Sequence, residues 1–514
     1  MQTTEDRVLA ALRNWRAFRL LVIGDFMLDQ ALEGDAERLS PDAPVPVLAV
    51  REPKATVDTP GGAGNVSVFA AALGGSVACV GLVGRDEEGG VLRRCLEQGG
   101  CATDGLIADP SRPTTVKRSL IGRAQHRHPQ KMFRIDVESR APIGEVVRAE
   151  ISRAVDREIE RCDVVCIEDY NKGVCTAELC AKVIARCRQR GIPVLVDPAA
   201  INDYGRYRGA TAITPNRSEA EKAVGRTVDP TDVVAGSKAL AAQLRTALDL
   251  DASIVTLDRF GAVLQERTGE AQHLPTVARP VYDVAGAGDM VLAILAGAAA
   301  NRVPWPEAVA LANVAAGMEV EIFGVRAFTL PEIQAQVIRL SQSVRGKLRT
   351  RADLLVEIAA HRAAGRTIVL TNGCFDVLHA GHVAYLREAK SHGNILVVGI
   401  NCDAQVRALK GATRPIYNES DRAELIGELA SVDYVTIFEE PTAEALLRDT
   451  VPDVYVKGGD YDGKAINESA VVKELGIKLT ILAHRPGLST TSVVDRVRSE
   501  LTSGGNVAAA SRAS

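Results

Sequence analysis

Short β-rich runs alternate with helical patterns along nearly all of this 514-residue chain, and that alternation leaves few architectures open. The runs are Leu20–Ile23, Val77–Val83, Val164–Ile167, Val194–Val196 and Ser253–Leu257, and later Thr367–Leu370, Ile395–Ile400 and Val454–Val456. Strands separated by helices pair in parallel and need helices on their faces, so an α/β fold is expected in both halves. A chain of this length does not bury itself around one core. The polar, basic stretch QSVRGKLRTR at 342–351 stands between the last apolar helix of the first half and a fresh helix and strand, and reads as a linker. The expected organisation is a domain over 1–341, a linker over 342–351, a second domain over 352–501 and a small, polar, flexible tail over 502–514. No internal repeat is visible, so the halves are expected to be different folds. The apolar run Leu20–Leu28 is interrupted by Asp25 and lacks a cleavage pattern, so it reads as a first strand and not as a signal peptide. Met290–Ala300 is too short for a membrane span and reads as a buried helix.

Composition narrows the partners. With 61 Lys and Arg against 65 Asp and Glu, the net charge of −4 supplies no global attraction to nucleic acid or to a membrane, and neither is expected. Phosphate binding has to be found site by site. The ten cysteines are scattered without a CxxC pair, the pattern of reduced thiols in a cytoplasmic protein.

In the first half, Asp283-Val-Ala-Gly-Ala-Gly-Asp289 runs straight into the apolar helix. Glycines 286 and 288 let backbone amides converge on an anion at a helix N-terminus, where the dipole also favours negative charge. A carboxylate at the end of that turn can take a proton from an attacking hydroxyl. Alone, such a turn can equally be structural. Earlier come Gly61-Gly62-Ala63-Gly64-Asn65, where backbone can approach a ligand and Asn65 can bond sugar hydroxyls, and Asp25, beyond the carboxyl end of the first strand. Asn216 and Glu219, in Thr214-Pro-Asn-Arg-Ser-Glu219, share one face of a helical turn and fit either a hydrated magnesium ion or an N-terminal capping pair.

In this order and spacing, the GGAGN loop, the TPNxxE segment and the GAGD turn resemble the ribokinase-like carbohydrate kinases over residues 1–340. The resemblance implies ATP as phosphate donor, Asp289 as catalytic base and the amides of Gly286, Ala287 and Gly288 as an anion hole. It places Asn216 and Glu219 in the Mg2+ and phosphate network, and Asp25, Gly62 and Asn65 on the sugar. The threonine usual before GAGD is Ala285 here, which removes a hydroxyl near the phosphates. Ser40–Val47 (SPDAPVPV) and Asp169–Gly173 (DYNKG) resemble the kinase half of a bifunctional heptose-phosphate family. They imply a sugar that already carries a phosphate, with Asp169, Lys172 and Arg134 as ligands; solvated cations are the alternative for the last two.

The second half opens on a strand followed by Thr371-Asn-Gly-Cys-Phe-Asp-Val-Leu-His379-Ala-Gly-His382. Two histidines three apart at a helix start can aim both imidazoles at a nucleotide α-phosphate, stabilising an in-line displacement without a covalent intermediate. Zinc would need a third ligand, and none stands at fitting spacing. The GxFDxxHxGH pattern resembles the cytidylyltransferase-like nucleotidyltransferases over residues 350–500. That resemblance implies His379 and His382 as catalytic, with Thr371, Asn372, Lys410, Asp460, Ser489, Thr490 and Thr491 on nucleotide or phosphate, assisted by Arg414 and Arg422.

Kinase first and transferase second, the chain resembles the bifunctional heptose-7-phosphate kinase and heptose-1-phosphate adenylyltransferase family. The implied fold is a ribokinase-like domain followed by a Rossmann-like domain, the implied partners are sugar phosphates and ATP, and a homodimer is expected. Two other readings stay open: another sugar phosphate with another nucleotide, or, because of Ala285, a first half that binds sugar without catalysis.

Overall fold

A computed structural model describes residues 4–50, 56–123, 129–277, 281–341, 346–458 and 467–482. The chain divides into two compact units, Met1–Ile333 and Gln334–Ser514.

The first unit is built on a nine-stranded sheet. Its order is Gln272–Leu274, Ala262–Glu266, Ala252–Thr256, Ala212–Ile213, Val194–Asp197, Val164–Glu168, Phe18–Gly24, Gly75–Gly84 and Cys101–Asp109. The pairs from Ala252–Thr256 onward are parallel, and the first two strands turn back antiparallel. Val164–Glu168 is buried throughout, as expected of a central strand covered on both faces. Helix Ala287–Ala300 is apolar on every side because it is enclosed; all its residues from Asp289 to Ala298 are buried.

Against this sheet stands a second, five-stranded one that the sequence pattern does not announce. Its order is Pro46–Ala49, Phe26–Leu39, Thr115–Arg123 and Gln130–Val137, with Thr56–Gly62 also pairing with Phe26–Leu39. The run Leu20–Leu28 is therefore not one strand. It breaks at Asp25, whose N–H bonds Glu168 O at 3.0 Å, and the chain passes from one sheet to the other.

The second unit holds five parallel strands in the order Tyr434–Phe438, Ile395–Asn401, Ile368–Gly373, Val454–Gly458 and Lys478–Leu482. The strand order reverses beside Ile368–Gly373, the place where open parallel sheets leave a ligand crevice. Of the stretch read as a linker, 342–345 lies outside the described residues, as does the tail. Residues 346–350 are packed: Leu348 bridges Val435, and buried Arg349 bonds Glu357 at 3.2 Å. Helix Arg351–Ala363 follows, capped by Thr350.

Candidate active sites

Carboxylates converge beyond the carboxyl ends of neighbouring parallel strands in the first unit. Asp25 follows Phe18–Gly24, while Glu168 and Asp197 end their own strands. Asp289 reaches them from the first turn of helix Ala287–Ala300, whose N-cap Gly286 has φ +80°, a conformation that favours glycine. The amides of Gly286, Ala287 and Gly288 thus open that helix, as an anion hole requires.

Asn65 and Asp289, far apart in sequence, are in contact: Asn65 Nδ2 donates to Asp289 Oδ2 at 2.7 Å. Tyr170 OH donates to Oδ1 at 3.2 Å. Burial pushes the Asp289 carboxyl up, opposed by Asn65, the Lys117 charge and Tyr170. Gly62 caps helix Ala63–Ala72 at φ +56°, and a Cβ there would stand 2.7 Å from Met27 Cε and 3.1 Å from the Tyr170 ring.

Asp25 is pushed up to about 6 by burial, against N–H donors. Its Oδ2 accepts from Tyr170 N at 2.8 Å and Lys172 N at 3.0 Å, so it pins the loop that carries Tyr170. Asp169 departs from its expected place on the sugar: Oδ1 takes Asn171 N, and Oδ2 takes Tyr207 OH at 2.6 Å and Arg206 at 3.3 Å, which makes it a loop anchor. Lys172 is buried with its ammonium on Glu138, and exposed Arg134 pairs with Asp136 at 2.8 Å. Neither cation extends freely toward a substrate phosphate. Asn216 and Glu219 form a reciprocal capping box, with Glu219 N to Asn216 Oδ1 at 3.0 Å and Asn216 N to Glu219 Oε2 at 2.9 Å.

The cation-competent cluster is another set. One oxygen each of Glu168, Asp197 and Asp289 lie within 4.8 Å of one another. Burial, then repulsion among the acids, pushes Glu168 and Asp197 well above the carboxylate range. Glu168 Oε2 is buried without a hydrogen-bond partner among the described residues. A hard divalent cation with oxygen ligands satisfies both the charge and the orphaned atom, so these residues fit Mg2+.

Sequence reasoning missed Glu168, Asp197, Tyr170, Asp29 and Lys117. The last two face each other in register on the small sheet, Asp29 on Phe26–Leu39 and Lys117 on Thr115–Arg123. Burial pushes Asp29 up to about 6 despite Lys117. For Tyr170 the sequence signal is the DYNKG segment, where the tyrosine stands between charged residues.

In the second unit His379 is the N-cap of helix Ala380–Lys390, its Nδ1 accepting from Gly381 N at 3.2 Å. The His379 and His382 rings stack with centroids 3.9 Å apart. Burial, with the charges of His379 and Lys410, pushes His382 down to about 4, so it is a neutral imidazole at pH 7. Lys410 is exposed and its charge reaches both His382 and Cys374. Asn372 Oδ1 accepts from Tyr455 OH at 2.6 Å and Lys457 Nζ at 2.9 Å, and buried Thr371 shares a 2.6 Å bond with Tyr385 OH. Arg414 holds buried Asp376 at 2.6 Å. Arg422 is buried on Asp403 and on Asn401 O, a scaffold and not a phosphate ligand. Asp460, Ser489, Thr490 and Thr491 lie outside the described residues.

Residues 18–333 match the pfkB family of carbohydrate kinases, and residues 370–496 match the cytidylyltransferase-like family. The Bifunctional protein HldE of Geobacter metallireducens is 42% identical over 94% of this chain and 96% of its own length. That of Syntrophotalea carbinolica is 40% identical over 96% and 98%. In fold, phosphofructokinase-2 from Escherichia coli in complex with potassium aligns at TM-score 0.51 and 17% identity, over 63% of this chain and 99% of that one.

Proposed function

Because this chain belongs to the bifunctional HldE family, a pfkB-family kinase joined to a cytidylyltransferase-like domain, we propose that it catalyses two steps of ADP-heptose biosynthesis. The first unit phosphorylates D-glycero-β-D-manno-heptose 7-phosphate at its C1 hydroxyl with ATP. The second transfers an adenylyl group from ATP to D-glycero-β-D-manno-heptose 1-phosphate, and such a product feeds lipopolysaccharide core assembly.

The observation that carries the kinase reading is Asp289, buried at a helix N-terminus with Asn65 on one oxygen and Tyr170 on the other. A carboxylate held this way takes the proton of the sugar hydroxyl as that oxygen attacks the γ-phosphorus. The amides at 286–288 offset negative charge on the moving phosphoryl group. Glu168 and Asp197 would hold Mg2+, which when bound neutralises ATP phosphate charge; Glu219 lies close enough for its charge to act on both. A first half that only binds sugar is not favoured, since Ala285 leaves the base and its donors in place.

In the second unit the acceptor is a phosphate monoester, ionised at neutral pH, so its oxygen attacks the α-phosphorus without a base. His379, His382 and Lys410 supply N–H donors and charge to the crowded phosphorus, with Asp460 and Ser489–Thr491 proposed on the nucleotide. Homodimerisation through the small sheet is supported by its exposed apolar side chains Leu39, Phe133, Ile135 and Val137. A cytoplasmic location suits ten free thiols, and among the described residues no helix is long and apolar enough to cross a membrane.

The direct experiment supplies the purified chain with heptose 7-phosphate, ATP and magnesium, and separately with heptose 1-phosphate and ATP. ADP in the first assay and pyrophosphate in the second are expected. Turnover of neither heptose while another sugar phosphate is consumed would refute the substrate assignment.

A further inference from the structure

Tyr170 stands in a loop between the charged residues Asp169 and Lys172, and its hydroxyl touches Asp289. Its placement is determined from several sides. Its N–H is tied to Asp25 Oδ2 at 2.8 Å, and the next residue, Asn171, turns at φ +56° with its N–H on Asp169. The ring lies against Gly62, where an added Cβ would crowd it at 3.1 Å. Lys117 Nζ sits 4.6 Å from the ring centroid, a cation over the negative face.

Resting on the reading of Asp289 as kinase base, we propose that Tyr170 is a positioning residue, its hydroxyl holding one oxygen of Asp289 while Asn65 holds the other, so that the carboxylate cannot rotate away from the sugar hydroxyl. A carboxylate on a short side chain turns freely about its last bond unless both oxygens are bound. Asn65 alone, on Oδ2, fixes one oxygen and leaves the plane free to swing. The second donor removes that freedom, which is what a proton transfer over hydrogen-bond distance requires. Toward the ionised carboxylate of Asp289, which can only accept, the phenol O–H is the donor. Lys117, clamped on the ring by cation–π attraction, extends the arrangement to the small sheet. Tyr170 takes no proton from the substrate; the proton passes from the sugar hydroxyl to Asp289.

The test compares Tyr170→Phe, Asp289→Asn and the double variant in the full chain. Tyr170→Phe keeps the ring and removes only the hydroxyl, and an unchanged thermal unfolding transition of the first unit confirms that its fold is kept. The expected result is a kinase kcat lower by about tenfold, with KM for sugar and ATP within about twofold, since the lost bond acts on the reacting geometry and not on binding. In the Asp289→Asn background the same change should cost nothing further, because its route of action is gone. Losses that multiply in the double variant, a change confined to KM, or an unaltered kcat overturn the proposal. If Asp289→Asn itself turns over normally, what fails is the assignment of the base, a separate outcome.

Discussion

The two sites are of opposite electrostatic character although both move a phosphorus group. The first is crowded with acids that burial pushes up: Asp25 and Asp29 to about 6, with Glu168 and Asp197 also raised well above their ordinary values. The second is lined by imidazoles and a lysine, and burial pushes His382 down to about 4. The acceptor explains the difference. A sugar hydroxyl does not attack until something takes its proton, so the kinase needs a base and a cation to offset the acids beside ATP. A sugar phosphate arrives already ionised, so the transferase needs donors and no base.

The sharpest break of this contrast is Asp289→Asn. It removes the proton acceptor without adding bulk, so sugar phosphorylation should fall a hundredfold or more with nucleotide affinity nearly kept. Normal turnover by the purified variant would end the claim that the kinase depends on this base. On the other side, His379→Ala or His382→Ala should lower adenylyl-transfer kcat on the order of a hundredfold, with a smaller change in nucleotide Kd. A pure loss of affinity at normal kcat would make the pair binding residues.

A smaller effect tests whether the units are as separable as their sites are different. A fragment beginning at Gly346 should be more stable than one beginning at Thr350 by about 3 kcal/mol, because the latter leaves Glu357 buried without Arg349. Urea unfolding of the two measures it; equal midpoints would mean the pair contributes nothing.

The smallest effect is the pH response of stability. His361 and His382 are pushed down to about 4, chiefly by burial, from an ordinary value near 6.5. Between these values the unfolded chain binds more protons, so their contribution is full above about 6.5 and is lost as pH falls toward 4. For Asp25 and Asp29, raised to about 6, the sign reverses: from about 4 to 6 the folded chain binds more protons, and acidification adds stability. Calorimetry at pH 7.5 and 5 should show the second unit's transition falling by on the order of a few °C relative to the first's. Parallel shifts would contradict the assignment.

The main sheets were legible because their strands are apolar and β-branched; Val164–Ile167 extends by one residue in the fold, to Glu168. The small sheet was not. Its longest strand, Phe26–Leu39 (FMLDQALEGDAERL), is rich in Ala, Leu, Glu, Met, Gln and Arg, residues of helical preference, and becomes a strand through pairing with Thr56–Gly62 and Thr115–Arg123. Asp289 and Asn65 could be named from their glycine turns, whereas Lys117, Tyr170 and Glu168 gain meaning only where distant strands meet. Asn216 and Glu219 show the converse: their spacing suits a cap and a cation equally, and the contacts found are those of the cap.

The claim that one chain holds a base-dependent and a base-free site, each complete in itself, is tested most directly by assaying both activities on Asp289→Asn and on His382→Ala. The account predicts a crossed result: the first variant loses sugar phosphorylation and keeps adenylyl transfer, and the second does the reverse. Comparable loss of both activities in either variant would contradict it.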